Sequence, residues 1–403
     1  MSDESTRLQD LQSQNIEARH IQDLFCRCLH HGTAAHKAFL HSDSSPAGGP
    51  EAQGRAGDPV TPAIVPSSVF FLPGDPAGPY QYGRWSNPTW SALEEALSIL
   101  EDAESVIFPS GMAATASILS TQLKPGDRVL LPSDAYYTTR QLADTYLKPA
   151  GITVLTCPSA EYDGYDFEGF RVVWIESPSN PLLDICDIRK AVSKARKAGA
   201  TVIADNTTPT PLGQRPLDLG VDAVVSSDTK AINGHSDVVF GHVASRRGNL
   251  IAAVREWRKL SGAIPGPFES WLVHRGLETL DVRFDRMCNN AESLAQHLSE
   301  HRNVREVRFP GLPSHPAHGV ASKQMLRFGT ILGVTLANKD SAERFINDCK
   351  FIRPTTSFGG VHTSAERRAR WGDRVSEGFM RLSVGCEPLG QLWKEMKSVL
   401  DTL

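Results

Sequence analysis

The sequence predicts an α/β protein: a large domain with a mostly parallel sheet covered on both faces, followed by a smaller C-terminal α+β domain. Between about residues 85 and 260, short apolar runs bounded by turn residues alternate with segments of helical period. From about residue 280 helical segments dominate and strand-like runs become fewer. The composition suits such a fold. With 403 residues and 40% apolar side chains, the chain is long enough for two or three domains or one large enzyme fold. That composition also excludes a disordered or collagen-like chain.

Residues 1–58 read as an N-terminal arm, since they lack strand patterning and end in the turn-rich stretch SDSSPAGGPEAQGRAGDP. His20, His30, His31, His36 and His41 lie there near Cys26 and Cys28. They fall in one short segment without the paired spacing of zinc modules, so no metal site is assigned. Instead, IQDLFCRCL predicts a short helix whose apolar side docks on the body or on another subunit. Residues 59–280 form the expected large domain. Asn87 and Pro88 are a helix-start signal, and Trp90, Leu93, Leu97 and Leu100 follow at helical spacing. The runs SVIFPSG, DRVLLPSD, ITVLTCP, RVVWIESP, TVIADNT and DAVVSSDT read as buried strands, with helices such as DIRKAVSKARKAGA between them. Residues 281–403 form the expected small domain, with helices NNAESLAQHLSEH and SAERFINDCK and strands VREVRF, TILGVTLA and MRLSVGC.

Charge and cysteine usage narrow the function. The chain has 42 Lys+Arg against 46 Asp+Glu, a formal charge of −4, which argues against a nucleic-acid binder. No apolar run approaches the roughly 18 residues of a membrane helix, and the N-terminus is too polar for a secretory signal. Seven scattered cysteines make a poor disulfide framework. A soluble, cytoplasmic protein is expected.

Ligands of open α/β sheets bind at the C-terminal ends of the strands. SVIFPSGMAATA ends with Ser110, Gly111 and Met112 and enters a helix, where backbone N–H groups suit a phosphate. TVIADNT ends with Asp205, which serves either as a helix cap or as the partner of a cofactor cation. DAVVSSDTKAINGHSD places Ser227, Thr229 and Lys230 after a buried strand. Lys230 alone reads as a snorkelling or salt-bridged lysine; the hydroxyls around it shift the reading towards a Schiff-base lysine beside a phosphate cup. Together the three strand ends fit pyridoxal 5′-phosphate, which needs a phosphate cradle, an acid at the pyridine nitrogen and a lysine on the aldehyde.

From about residue 59 onward the chain resembles the Cys/Met-metabolism family of pyridoxal-phosphate enzymes. The resemblance rests on YGRWSNPTWSALEEALSILE, FPSGMAA, the Asp-Ala-Tyr of SDAYYTT, ESPSNP, ADNT, SDTKAINGHSD and MRLSVG, in the family's order. It implies an aspartate-aminotransferase-like fold (fold type I) with a seven-stranded large-domain sheet. It also implies that Lys230 carries the cofactor and moves protons, and that Asp205 pairs with the pyridine nitrogen. Gly111, Met112, Ser227 and Thr229 would hold the phosphate. Tyr82 and Arg84 would reach the cofactor of a neighbouring subunit, in a homotetramer built from dimers with shared active sites. Tyr136 would stack on the ring, and Asn180, Ser357 and Arg381 would bind the carboxylate of an amino-acid substrate. Read one by one, Tyr136 is equally an ordinary half-buried tyrosine, Asn180 a turn residue and Arg381 an edge-strand charge.

The implied reaction is α,γ-elimination of cystathionine or a related thioether amino acid to 2-oxobutanoate, ammonia and a thiol. Alternatives are γ-replacement on an O-acylhomoserine, β-elimination, or a non-catalytic scaffold. Many family members carry an acid just before Ser357, where this chain has Thr356. The surrounding loop, FIRPTTSFGGVHTSAERRARWG, resembles a bacterial subgroup labelled cystathionine γ-lyase. Its arginines Arg367, Arg368 and Arg370 read as a solvated helix face.

Overall fold

The computed structural model describes residues 18–29, 59–75 and 78–403. Helix α1 (residues 18–29) is the helix expected around IQDLFCRCL, and it docks on the body. Its Ile21, Phe25 and Cys28 pack in one apolar cluster with Trp90, Leu93 and Leu97 of α2 (Pro88–Glu101). His30, His31, His36 and His41, with the turn-rich stretch after them, lie outside the described residues. Helix α2 begins as its sequence dictates. The Asn87 side chain accepts a hydrogen bond from Thr89 N, and Pro88 occupies the first helical position.

The large sheet contains β1 (Glu104–Phe108), β2 (Arg128–Pro132), β3 (Thr153–Cys157), β4 (Val172–Glu176), β5 (Thr201–Asp205), β6 (Ala223–Ser226) and β7 (Gly241–Ser245). Its order is β1-β7-β6-β5-β4-β2-β3; β7 pairs antiparallel with β1 and β6, and the remaining pairs are parallel. Alternate residues along each strand feed two cores. Val129, Trp174, Ile203 and Val225 face a cluster that includes Ala114 and Ile118 of α3 (Gly111–Gln122). Leu130, Val173, Val202 and Val224 face the opposite cluster, which a later helix covers with Ile188, Ala191 and Ala195. Burial on both faces is why these strands read as continuous apolar runs. The exception is β7, GHVAS, which the apolar pattern misses. Its second residue, His242, is fully buried but bonds to two acids: Nδ1 is 2.8 Å from Asp228 Oδ1, and Nε2 is 3.2 Å from Glu101 Oε1.

After β2 comes the short α4 (Tyr137–Leu142); α5 (Ile188–Lys197) is the helix covering the second face, and α6 (Thr210–Gly213) follows β5. Then α7 (Gly248–Ser261) covers β1 and β7, and α8 (Pro267–Leu277) packs on α2. Helix α9 (Leu280–Ser299) links the two halves of the molecule. Phe284 and Cys288 belong to the α1–α2 cluster, whereas Ala291, Leu294 and Leu298 belong to the core of the second sheet.

That second sheet is antiparallel, with β8 (Val304–Arg308), β9 (Ile331–Leu336), β10 (Ser364–Arg367) and β11 (Phe379–Ser383) in the order β10-β11-β9-β8. Helices α10 (His318–Gln324), α11 (Lys339–Asp348) and α12 (Leu389–Leu400) complete this half. Of the arginine run, Arg370 lies exposed on a short helical turn, but Arg367 and Arg368 are not on a solvated helix face, as their polarity had suggested. Arg367 closes β10, and both it and Arg368 are buried. Acids interleaved in the fold explain the difference. Arg367 pairs with Glu343 at 2.8 Å and Glu377 at 2.6 Å, while Arg368 pairs with Glu366 at 2.7 Å and Asp373 at 2.6 Å. Among the described residues, no helix is long and apolar enough to cross a membrane.

Candidate active site

A cavity of about 440 Å³ opens where the C-terminal ends of β5 and β6 meet the loop before β10, a size suited to a cofactor with a small substrate. Of the predicted residues, Gly111, Met112, Tyr136, Asn180, Asp205, Ser227, Thr229, Lys230, Ser357 and Arg381 all line it. Tyr82 and Arg84 do not. Arg84 donates Nη1 to Lys259 O at 2.7 Å, with its guanidinium 5.4 Å from the centre of the Tyr82 ring, and Tyr82 is 41% exposed.

One wall is the start of α3. Ser110 caps it by accepting a hydrogen bond from Ala113 N, so Gly111 and Met112 are its first two residues. Their N–H groups lie in the first turn, where no intrahelical acceptor exists. Gly111 is required by close approach: an added Cβ would lie 2.6 Å from Ser227 Cβ. The turn after β6 is therefore pressed against the helix start. Ser227 N donates to Thr207 Oγ1 at 2.9 Å, and Thr207 N donates to Asp205 Oδ1 at 3.0 Å, which ties the β5 and β6 ends together. The Thr229 hydroxyl lines the cavity while donating to Phe240 O at 3.2 Å and accepting from Phe240 N at 2.9 Å.

The two strand-end carboxylates are neighbours, because Glu176 and Asp205 are register partners on β4 and β5. Burial and the nearby Asp205 push Glu176 well above the usual carboxylate range. Its oxygens accept hydrogen bonds from Tyr136 N at 3.0 Å and Asn180 N at 2.9 Å, fixing both loops. Enclosure also raises Asp205, opposed by hydrogen bonds from Thr207 and by the Lys230 charge. Sequence reasoning passed over Glu176, although it ends an apolar strand just as Asp205 does.

Lys230 and Arg381 meet at Ser357. Lys230 Nζ donates to Ser357 Oγ at 2.7 Å, and Arg381 Nη2 donates to Ser357 O at 3.0 Å. Ser357 holds a left-handed backbone (φ 76°), a costly conformation for a residue with a side chain. Gly359 follows at φ 77°, where an added Cβ would lie 2.5 Å from Ala231 N, so the loop packs directly on the Lys230 turn. Burial lowers the Lys230 ammonium to about 8, and the Arg381 charge adds to the effect. Arg381, 4% exposed, also donates Nη1 to Asn180 Oδ1 at 2.7 Å and Nη2 to Glu366 Oε1. Glu366 is its direct cross-strand partner. Burial works to raise Glu366, but Arg381 and Arg368 outweigh it and hold the carboxylate below its ordinary range. Sequence reasoning also missed Glu366, since its strand, SAER, carries no apolar signal.

The residues present fit pyridoxal 5′-phosphate. Orphan N–H groups and the Ser227 hydroxyl would receive the phosphate, the Asp205 carboxylate would pair with the pyridine nitrogen, and the Lys230 amine, of lowered basicity, would meet the aldehyde. Fold and donor set together define a pyridoxal-phosphate enzyme of fold type I. The model of the Cys/Met metabolism PLP-dependent enzymes matches residues 49–401, and the chain belongs to that family. A Streptomyces coelicolor protein named "Putative cystathionine gamma-lyase" is 47% identical over 351 residues, covering 85% of this chain and 89% of that protein. A cystathionine beta-lyase from Coxiella burnetii is 37% identical over 372 residues, 86% of this chain and 95% of its own. The crystal structure of cystathionine gamma synthase from Xanthomonas oryzae pv. oryzae in complex with cystathionine superposes with a TM-score of 0.81 at 34% identity, covering 92% of this chain and 97% of that one. The family acts on small amino-acid substrates with pyridoxal phosphate as its cofactor.

Proposed function

We propose that this chain is a carbon–sulfur lyase catalysing α,γ-elimination of cystathionine or a related thioether amino acid to 2-oxobutanoate, ammonia and a thiol, which is cysteine when cystathionine is the substrate. The observation that carries this reading is the junction at Ser357, whose hydroxyl is 2.7 Å from Lys230 Nζ and whose carbonyl is 3.0 Å from Arg381 Nη2. A proton-moving amine and a carboxylate-binding guanidinium are thereby held a fixed distance apart, as an α-amino acid requires. The relative named as a γ-lyase supports the choice of elimination at Cγ.

Bound pyridoxal phosphate supplies the electron sink that makes removal of the Cα proton feasible. The chain's own residues do the rest. Gly111, Met112 and Ser227 would hold the phosphate, with Thr229 bracing the turn through Phe240. Asp205 would keep the pyridine nitrogen protonated, and Tyr136 would cover the ring. Arg381 and Asn180 would bind the substrate carboxylate and so orient the Cα–H bond towards Lys230 Nζ. That amine takes the Cα proton and then serves the proton transfer at Cβ that γ-elimination adds. Tyr82 and Arg84 reach the phosphate site of a second copy within a homotetramer, which accounts for their absence from their own cavity. We assign residues 59–280 and 281–403 to the cofactor domain and the small domain of a cytoplasmic enzyme.

The test supplies the holoenzyme with L-cystathionine alone, then with O-acetylhomoserine plus cysteine. Elimination predicts 2-oxobutanoate from cystathionine without any added nucleophile. Cystathionine formed from the second mixture, with no 2-oxobutanoate from the first, would assign γ-replacement instead.

A further inference from the structure

The arginine run gives the cavity a second guanidinium. Arg368 lines it together with Arg381, and the same oxygen of Glu366 accepts a hydrogen bond from each. Hydrogen bonding to one shared oxygen keeps the two donating nitrogens within ~6 Å of each other. Glu366 lies behind them, 1% exposed, and its other oxygen accepts from Trp371 Nε1 at 2.9 Å and Arg370 Nη2 at 3.4 Å. Arg368, Arg370 and Arg381 thus share two carboxylates, Glu366 and Asp373, which leaves positive charge in surplus on this wall.

Arg368 is held in place without being used up. Its Nη1 donates to Glu366 at 2.7 Å, its Nε donates to Asp373 at 2.7 Å, and its Nη2 lies 2.6 Å from the same Asp373 oxygen. Those contacts leave two of a guanidinium's five N–H groups for a ligand. The acids lining the cavity, Glu176 and Asp205, both belong to the large-sheet end. Among the described residues, the wall around Arg368 therefore offers a cation and the Trp371 indole, with no acid facing the cavity.

We propose that Arg368 is a specificity-determining residue that binds a second carboxylate, carried by the leaving group, while Arg381 takes the α-carboxylate. Glu366 is the positioning residue that fixes both guanidinium groups at their spacing. The preferred substrate is then a thioether amino acid whose thiol half bears a carboxylate. This deepens the elimination reading and rests on it for naming the leaving group as a thiol; the binding preference itself requires no turnover.

The test titrates the holoenzyme with L-2-aminosuberate and L-2-aminooctanoate, which match the length of cystathionine and differ in the distal carboxylate. Binding is read from the change in the cofactor's visible absorption. The wild type is expected to bind the dicarboxylate roughly tenfold more tightly, as a charge-assisted hydrogen-bond pair implies. Arg368→Gln should abolish that preference, so that the two ligands bind about equally whatever the variant's absolute affinity. Asp373→Asn, which releases N–H groups of Arg368, should widen the preference, and it decides the matter alone if Arg368→Gln does not fold. Equal binding of the two ligands by the wild type, a preference that survives Arg368→Gln, or one that Asp373→Asn leaves unchanged or narrows overturns the proposal. Failure of the lyase reading would look different: no 2-oxobutanoate from cystathionine, with the carboxylate preference intact.

Discussion

At the large-sheet end of the cavity, Asp205, Ser227, Thr229 and Lys230 leave two adjacent parallel strands, β5 and β6, within a few residues of the strand ends. At the small-sheet end, Arg381 and Glu366 face each other across an antiparallel pair and lie 15 residues apart in sequence. The first region concentrates its groups in short stretches after buried strands, so backbone geometry places them. The second assembles them across strands and loops, with Asn180 reaching Arg381 from 201 residues away, so ion pairing places them. The cofactor end should therefore fail by losing chemistry when altered, and the carboxylate end by losing affinity and stability.

Breaking the cofactor end has the largest expected effect. Lys230→Ala removes the proton-moving amine and should lower 2-oxobutanoate release by at least about 10³-fold, the middle of the range for a positioned acid–base group; the cofactor's visible band should vanish with it. At the other end, Arg381→Lys keeps the charge but loses the fork. Its effect should appear as a rise in KM for cystathionine of roughly ten- to a hundredfold, with kcat changing less. A kcat loss as large as that of Lys230→Ala would erase the distinction between the two ends.

Glu366→Gln keeps the shape and removes the counter-charge shared by Arg381 and Arg368. Breaking a buried ion pair on one side costs about 3–5 kcal/mol, so a lower denaturant midpoint should accompany a modest rise in KM. An unchanged midpoint would show that the guanidinium groups do not depend on Glu366.

Two pH effects are smaller. The cofactor-free protein holds Lys230 near pKa 8, lowered by burial and by Arg381, and only the neutral amine captures an aldehyde. The rate of pyridoxal phosphate capture, followed in the visible spectrum, should climb by up to about tenfold per pH unit below 8 and level off above it. A flat profile from pH 6 to 9 would contradict that environment. His242 behaves in the opposite sense. Burial works to lower it, but Asp228 and Glu101 outweigh burial and raise it to about 10. A raised folded-state pKa contributes stability in full below the unfolded value, about 6.5, and loses it as pH climbs to 10. Melting temperatures of wild type should fall more between pH 7 and 10 than those of His242→Gln.

The same contrast explains what the sequence disclosed. Strands β1, β2, β4, β5 and β6 were legible because burial on both faces leaves continuous apolar runs, and the cofactor residues follow those runs directly. Strand β7 was not, because it buries a histidine made tolerable by Asp228 and Glu101, which precede it by 14 and 141 residues. Strand β10 was hidden for a related reason: Glu366 and Arg367 look solvent-facing until their partners from β11, α11 and the loop before β11 are placed beside them. Polar residues buried in mutual compensation carry no local signature.

The most direct test of the account uses L-cystathionine carrying a carbon label only in its four-carbon half, turned over by the holoenzyme and analysed by mass spectrometry. α,γ-Elimination predicts labelled 2-oxobutanoate with unlabelled cysteine. Labelled homocysteine with unlabelled pyruvate would place the cleavage at Cβ and contradict the account.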